Sequence, residues 1–138
     1  MDNPARLVAL VVVSDSKSVA ELSHMLGAQA DVGRDIGTVR SDLPVRIPAR
    51  ETSWEMREWS DSTGDASELI DRLFRRAMPL RERLVALSTA GCVMKLNIVQ
   101  WIASADASGP GVSLDPAVVK FLAEINAAVD VDQYVEFD

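Results

Sequence analysis

The sequence predicts an α+β fold, a ferredoxin-like two-layer sandwich in which a mixed sheet of four or five strands carries three helices on one face. Three observations predict it. Cys92–Ile102 (CVMKLNIVQWI) alternates, with Cys92, Met94, Leu96 and Ile98 on one side and Lys95, Asn97 and Trp101 on the other. That is the pattern of a strand whose sheet is covered by helices on one side only. Leu7–Val13 (LVALVVV) is apolar on both sides and rich in β-branched residues, which places it at the centre of the sheet and requires cover on both faces. Between these two strands, Leu69, Ile70, Leu73, Ala77, Leu80, Leu84 and Leu87 keep to one narrow arc of a helix.

In chain order, the central strand Leu7–Val13 is followed by the turn Ser14-Asp15-Ser16 and by a capping box, Ser18-x-x-Glu21. The box opens a helix with Val19, Leu22, Met25 and Leu26 on its apolar stripe, His24 on its solvent side and Gly27 as its stop. Residues 28–50 keep no period. Gly33, Gly37, Pro44 and Pro48 punctuate them, and Arg34, Arg40, Arg46 and Arg50 make them the most basic section. Within that excursion Val45-Arg46-Ile47 has the alternation of a short edge strand between prolines.

Ser53–Trp59 (SWEMREW) alternates again, with Trp54 and Met56 inward and Glu55, Arg57 and Trp59 outward. A second capping box, Asp65-x-x-Glu68, opens the dominant helix. Pro79 falls on its solvent face, where a lost backbone donor is replaced by water, so a bend is expected rather than a break. Arg72, Arg75, Arg76 and Arg83 share that outer face, with Glu68 and Asp71 four residues ahead of Arg72 and Arg75 in the order that favours helix ion pairs. Gly91 ends the helix. Residues 103–111 read as a turn-rich loop, Val112 and Leu114 as a short strand, and Asp115-Pro116 as the N-cap and first residue of a third helix. Val118, Phe121, Leu122 and Ile125 form that helix's stripe. In the closing strand Val129, Val131, Val135 and Phe137 face one way, and Asp130, Asp132, Tyr134 and Glu136 the other. The resulting order β-α-β-α-β-α-β fits the sandwich, with a three-layer α/β sheet as the alternative.

The chain of 138 residues is expected to be one domain over 1–138, a size that buries roughly two-thirds of its unfolded surface. Hydrophobic residues at 48% and charged residues at 25% are ordinary globular values. A net charge of −7 argues against nucleic acid as a partner, since such binding needs a basic footprint. The charge is uneven: residues 111–138 carry −5 and the preceding part −2. One cysteine and one histidine exclude a disulfide framework and Cys/His zinc motifs. Leu7–Val13 is only seven residues long, is preceded by Asp2 and has no A-x-A cleavage site at the right place after it, which argues against a signal peptide, and no apolar stretch approaches the ~20 residues of a membrane span. The expectation is a cytoplasmic protein with no membrane partner.

From Trp54 onward the chain is similar to a family that is mainly bacterial and uncharacterised, domain of unknown function four-two-seven-nine. The features that carry the resemblance are the Trp54 strand, the long helix with Pro79 inside it, the junction LSTAGCVMKLNIVQW and the segment GVSLDPAVVKFLAEINAAVDVDQYVEFD. The family's Lys-Gly-Asp-like turn ahead of the tryptophan strand has its nearest counterpart in Gly33-Arg34-Asp35. The resemblance implies the same α+β fold. It brings no activity, cofactor or catalytic residue, and an immunity-like role is the one process it hints at.

A search for chemistry in the sequence finds no catalytic set. Neither a Walker-type loop nor G-x-G-x-x-G occurs, and there is no nucleophile elbow. His24 lies on an exposed helix face, Cys92 points inward, and Ser14-Asp15-Ser16 are turn and capping types beside a helix start. Asp130 and Asp132 share a strand face without further oxygen ligands for a metal. What remains is aromatic. Trp59, Trp101 and Tyr134, from three strands, all fall on the face away from the core, accompanied by Arg57, Lys95, Asn97 and Glu55. Aromatic residues ringed by polar ones are typical interface anchors. The expectation is a non-enzymatic protein-interaction module without metal or cofactor, self-associating as a homodimer through that open face or binding a protein partner, with an immunity-like or scaffolding role. The alternative is a small-molecule-binding regulatory domain that holds an anionic or aromatic ligand between Trp59, Trp101 and the loop arginines, Arg46 and Arg50 among them.

Overall fold

The computed structural model describes residues 5–39, 47–62, 65–103 and 111–136. The strand β1 (Arg6–Ser14) leads through helix α1 (Val19–Leu26) to β2 (Val32–Arg34) and β3 (Thr52–Ser60). Helices α2 (Ser67–Ala77) and α3 (Arg81–Thr89) are joined by a 3-10 turn at Met78–Leu80, and β4 (Val93–Ala103), α4 (Pro116–Glu124) and β5 (Ala128–Glu136) follow. The strands form one sheet in the order β2-β3-β1-β4-β5. β1 is antiparallel to both β3 and β4, β2 is antiparallel to β3, and β5 runs parallel to β4. The sheet is therefore mixed, and the fold is α+β in two layers. In the first β-α-β unit β3 separates β1 from β2, whereas β4 and β5 pair directly beside their connecting helix.

Alternation along each strand builds the helix-covered side. Val8, Leu10 and Val12 of β1, Trp54 and Met56 of β3, and Met94, Leu96 and Ile98 of β4 are buried in one cluster. Leu22 and Leu26 of α1, the stripe of α2 and α3, and Val118, Phe121 and Leu122 of α4 pack onto them. Each such aliphatic side chain contributes about 1.5–3 kcal/mol by leaving water. Trp54 is fully buried, and its indole N–H donates to Ser23 Oγ at 3.2 Å. That bond explains one departure from the sequence reading. Ser23, not Met25, takes the inward position on α1, and Met25 is exposed.

The helix ends follow their sequence signals in part. Ser18 accepts from the Glu21 backbone N–H, and Gly27 ends α1 in the left-handed conformation. The expected box at Asp65 does not close. Asp65 Oδ1 accepts from the Ser67 N–H at 2.8 Å, which lowers its pKa, but Glu68 swings to Arg6 instead of back to its own helix start. The residue ahead of the helix is Ala66, which makes no side-chain cap bond. The expected single helix is divided at Pro79 by the 3-10 turn into α2 and α3, and Pro79 stays exposed, as its position on the solvent face requires. The outer arginines are less solvated than the i, i+4 spacing suggests. Arg83 donates to the Leu26 carbonyl, and Arg76 reaches Asp31 and the Arg57 carbonyl.

Two strand assignments change. The edge strand in the basic excursion is Val32–Arg34. Of the segment read as that strand, Val45 and Arg46 lie outside the described residues, and Ile47 is exposed and unpaired to any strand. Gly33 is fixed by contact, since a Cβ there would meet Val19 Cγ1 at 2.7 Å. Val112 and Leu114 form no strand and instead lie half-buried against the core cluster. The loop read at 103–111 lies mostly outside the described residues.

Asp31 fastens β2 to β3 and to α2. Its Oδ2 accepts from the Arg57 backbone N–H and from Arg76 Nη2, both at 2.8 Å. Partial burial pushes its carboxyl pKa up, but these two bonds and the charges of Arg76 and Arg57 outweigh that and hold it below the usual value. A depressed folded-state pKa contributes stability that is fully present above the unfolded value of about 3.9 and is lost as pH falls through the folded one. Asp31→Asn is therefore expected to cost less than about 1 kcal/mol at neutral pH, because the pair is solvent-screened. The gap between wild type and variant should close below about pH 4, read by urea unfolding across a pH series. In the core, Leu69→Ala removes a side chain with no exposed surface. It is expected to cost about 2–5 kcal/mol, measured as a fall in the urea midpoint at unchanged slope.

Candidate functional site

The side of the sheet away from the helices takes its shape from strand register. Leu7 stands between Trp59 of β3 and Val99 of β4, and Val99 pairs with Asp132 of β5. One row towards the start of β1, Trp101 pairs with Tyr134, and the Trp101 N–H is bonded to the Ala5 carbonyl. One row the other way, Ala9 stands between Arg57 and Asn97, with Asp130 beyond. The next row sets Val11 between Glu55 and Lys95. Paired residues share a face, so Trp59, Trp101, Tyr134, Arg57, Lys95 and Asn97 all lie on the open face.

The face has an aromatic end and a charged middle. The rings of Trp101 and Tyr134 stack at 5.5 Å with 22° between their planes, a geometry worth about 0.5–1.5 kcal/mol beyond area. Trp59 is 57% exposed and Tyr134 52%. In the middle, Arg57 Nη2 bonds Glu55 Oε2 at 2.8 Å, and Lys95 Nζ lies 3.9 Å from Asp130. Among the described residues no helix covers this face, yet Ala9 and Val11 are only 2% and 3% exposed. Of the side chains flanking them, Arg57 and Lys95 are 36% and 38% exposed, and Glu55 is 15% exposed. Two polar atoms on this face, Arg57 Nε and Asn97 Oδ1, are shielded from solvent and have no hydrogen-bond partner.

Among the described loop arginines, Arg34 reaches this face through its pairing with Ser53, beside Val13 and at the end away from the aromatic residues. Arg46 lies outside the described residues. Arg50 is exposed just before Thr52, the first residue of β3, whereas Trp59 is next to its last. At about 3.3 Å per residue the two stand roughly 30 Å apart along the strand. A ligand held between Trp59, Trp101 and Arg50 would have to span the whole sheet.

Sequence reasoning found the aromatic trio by alternation. It read one side of Leu7–Val13 as needing cover here, but it did not place Leu7, Val99, Val13 and Val93 between and beyond the aromatic rows. Val93 is 62% exposed. Only the register of β1 against β3 and β4 tells that these residues are neighbours, and alternation within one strand carries no register.

Other places offer less. A groove of about 860 Å³ between the 3-10 turn and α4 is lined by Met78, Pro79, Lys120 and Phe121, and Arg81 and Glu124 pair with each other there. A shallower one of about 410 Å³ borders His24 and Gly27 on α1. Ser14 Oγ accepts from the Ser16 and Lys17 N–H groups, a turn-closing role, and Cys92 is buried. No cluster of three metal-ligating side chains occurs among the described residues, and none of their helices is long and apolar enough to cross a membrane.

No curated protein and no solved structure matches the chain. A family model does, that of a domain of unknown function (DUF4279), over residues 3–136. The match takes in the whole sheet, its helix layer and every described residue of the open face, and the chain belongs to the DUF4279 family.

Proposed function

We propose that the protein is a non-enzymatic interaction module that self-associates through the open face of its sheet. The observation that carries this reading is the pairing of an apolar central strand with an aromatic end that no described helix covers. Leu7, Val99, Trp59, Trp101 and Tyr134 are contiguous there by register. Four strands about 4.8 Å apart and nine residues long at about 3.3 Å per residue give a face of roughly 600 Å². Two such faces bury about 1,200 Å², the lower bound of stable protein interfaces. Trp and Tyr are the side chains that most often anchor such contacts, and the charged middle supplies the polar complement. A module of this kind acts by occupancy, as a scaffold or an immunity-like neutraliser, and needs no catalytic set.

Trp59→Ala and Trp101→Ala test the reading by sedimentation velocity of the full chain. Both residues lie outside the buried core cluster, so the circular dichroism spectrum should be unchanged. Wild type is expected to sediment as a dimer and each variant to weaken it at least tenfold. A monomeric wild type at all concentrations, or variants that dimerise as wild type does, overturns it.

A further inference from the structure

The charges on the open face distinguish between the ways a second copy can lie on it. An isologous contact between two faces places its two-fold axis in the plane between them, and aligned sheet packing leaves that axis along the strands or across them. Consider the axis across the strands, level with Ala9. Each strand then lies on its own copy, so that Arg57 meets the partner's Arg57 and Asp130 the partner's Asp130. Moving the axis half a row sets Glu55 against the partner's Arg57, but it carries Trp101 and Tyr134 beyond the end of the partner's sheet. Those two residues stand one row outside Trp59 and Val99, with no strand residue opposite them after the shift.

With the axis along β1 the rows stay level and the two flanks exchange. β3 then lies over the partner's β4. Glu55 stands against the partner's Lys95, and Arg57 against the partner's Asn97 with the partner's Asp130 beside it. Trp59 lies on the partner's Val99, next to the Trp101–Tyr134 stack. Every opposed charge is of opposite sign, each occurs twice by symmetry, and both aromatic ends are buried together. The same setting brings the side chain holding the unpaired donor Arg57 Nε over the side chain holding the unpaired acceptor Asn97 Oδ1.

We infer that the partner on the open face is a second copy of this chain docked with its two-fold axis along β1, with Glu55–Arg57 of one copy clasping Lys95–Asp130 of the other. The inference rests on the self-association proposed above and fixes its geometry. Within each copy Glu55 is held by Arg57 at 2.8 Å and Lys95 lies near Asp130 at 3.9 Å, so the contact joins two neutral pairs into one alternating network. Like charges directly opposite are destabilising and opposite ones favourable.

Reciprocal charge exchange tests it, with dimer dissociation constants from sedimentation equilibrium at low salt. Glu55→Lys and Lys95→Glu are each expected to raise the constant at least tenfold, since each sets like charges across the axis. The double variant should recover most of the loss, because Lys at 55 then faces the partner's Glu at 95. Loss in both single variants without recovery in the double overturns the axis along β1 and leaves self-association standing. A wild type that is monomeric throughout removes both. If a reversal prevents folding by circular dichroism, Glu55→Gln, Lys95→Gln and their combination form a double-mutant cycle. A coupling of at least threefold supports the contact, and additive effects overturn it.

Discussion

The structure depends on one constraint: β1 is paired on both edges and apolar on both faces. Its even-numbered residues need the helix layer, and the stripes of α1, α2, α3 and α4 meet there. Its odd-numbered residues, Leu7 to Val13, need a second cover that no described helix supplies. Ala9 and Val11 are nonetheless buried in the charged middle, whereas Trp59 and Tyr134 at the aromatic end are more than half exposed. The proposed interface follows from this division more than from any single aromatic residue.

Arg6 holds the aromatic end of that strand in place. The residue is 6% exposed, and its guanidinium donates to the Ser62 and Asp65 carbonyls, to Ser60 and Ser62 Oγ and to Glu68. A buried cation of this kind is tolerable only when its donors are satisfied. Here it ties the end of β3, the turn after it and the first turn of α2 to the start of β1. On the other flank Asp31 and Arg76 tie β2, β3 and α2 together. Both clamps are long-range, and both take a residue that local helix rules had assigned elsewhere: Glu68 from its capping box and Arg76 from a solvated face.

That pattern explains how much was legible in the sequence. Where a residue's place is set by its own strand or helix, periodicity found it: Trp54 inward, Met94, Leu96 and Ile98 on one side, Phe121 and Leu122 on the stripe of α4. Where the place is set by a distant partner, periodicity failed. β2 is three residues long and exposed at every position, so it has no pattern to read, and its existence depends on Gly33 giving Val19 room. The sharing of a face by Trp59, Trp101 and Tyr134 was legible, while their adjacency through Leu7 and Val99 was not. Arg50 looked like a neighbour of the aromatic residues because the loop's end of the sheet had no position until β3 was laid against β1.

The outermost strand adds a different consequence. In β5 Asp130 and Asp132 lie on the open face, and Val129, Val131 and Val135, on the helix face, are 40–48% exposed because the sheet extends past the helix layer. Among the described residues no strand pairs with the outer edge of β5, and such an edge of nine residues is a template for further strand addition. Two copies joined there antiparallel would set acidic side chains against acidic ones, and the opposite edge offers only the three residues of β2. Growth by edge pairing is therefore blocked at both margins. In the proposed dimer, contact through the broad face would consume that face in each copy. The proposed assembly would then be a closed pair, with the acidic side chains of the last strand opposing its extension into fibres.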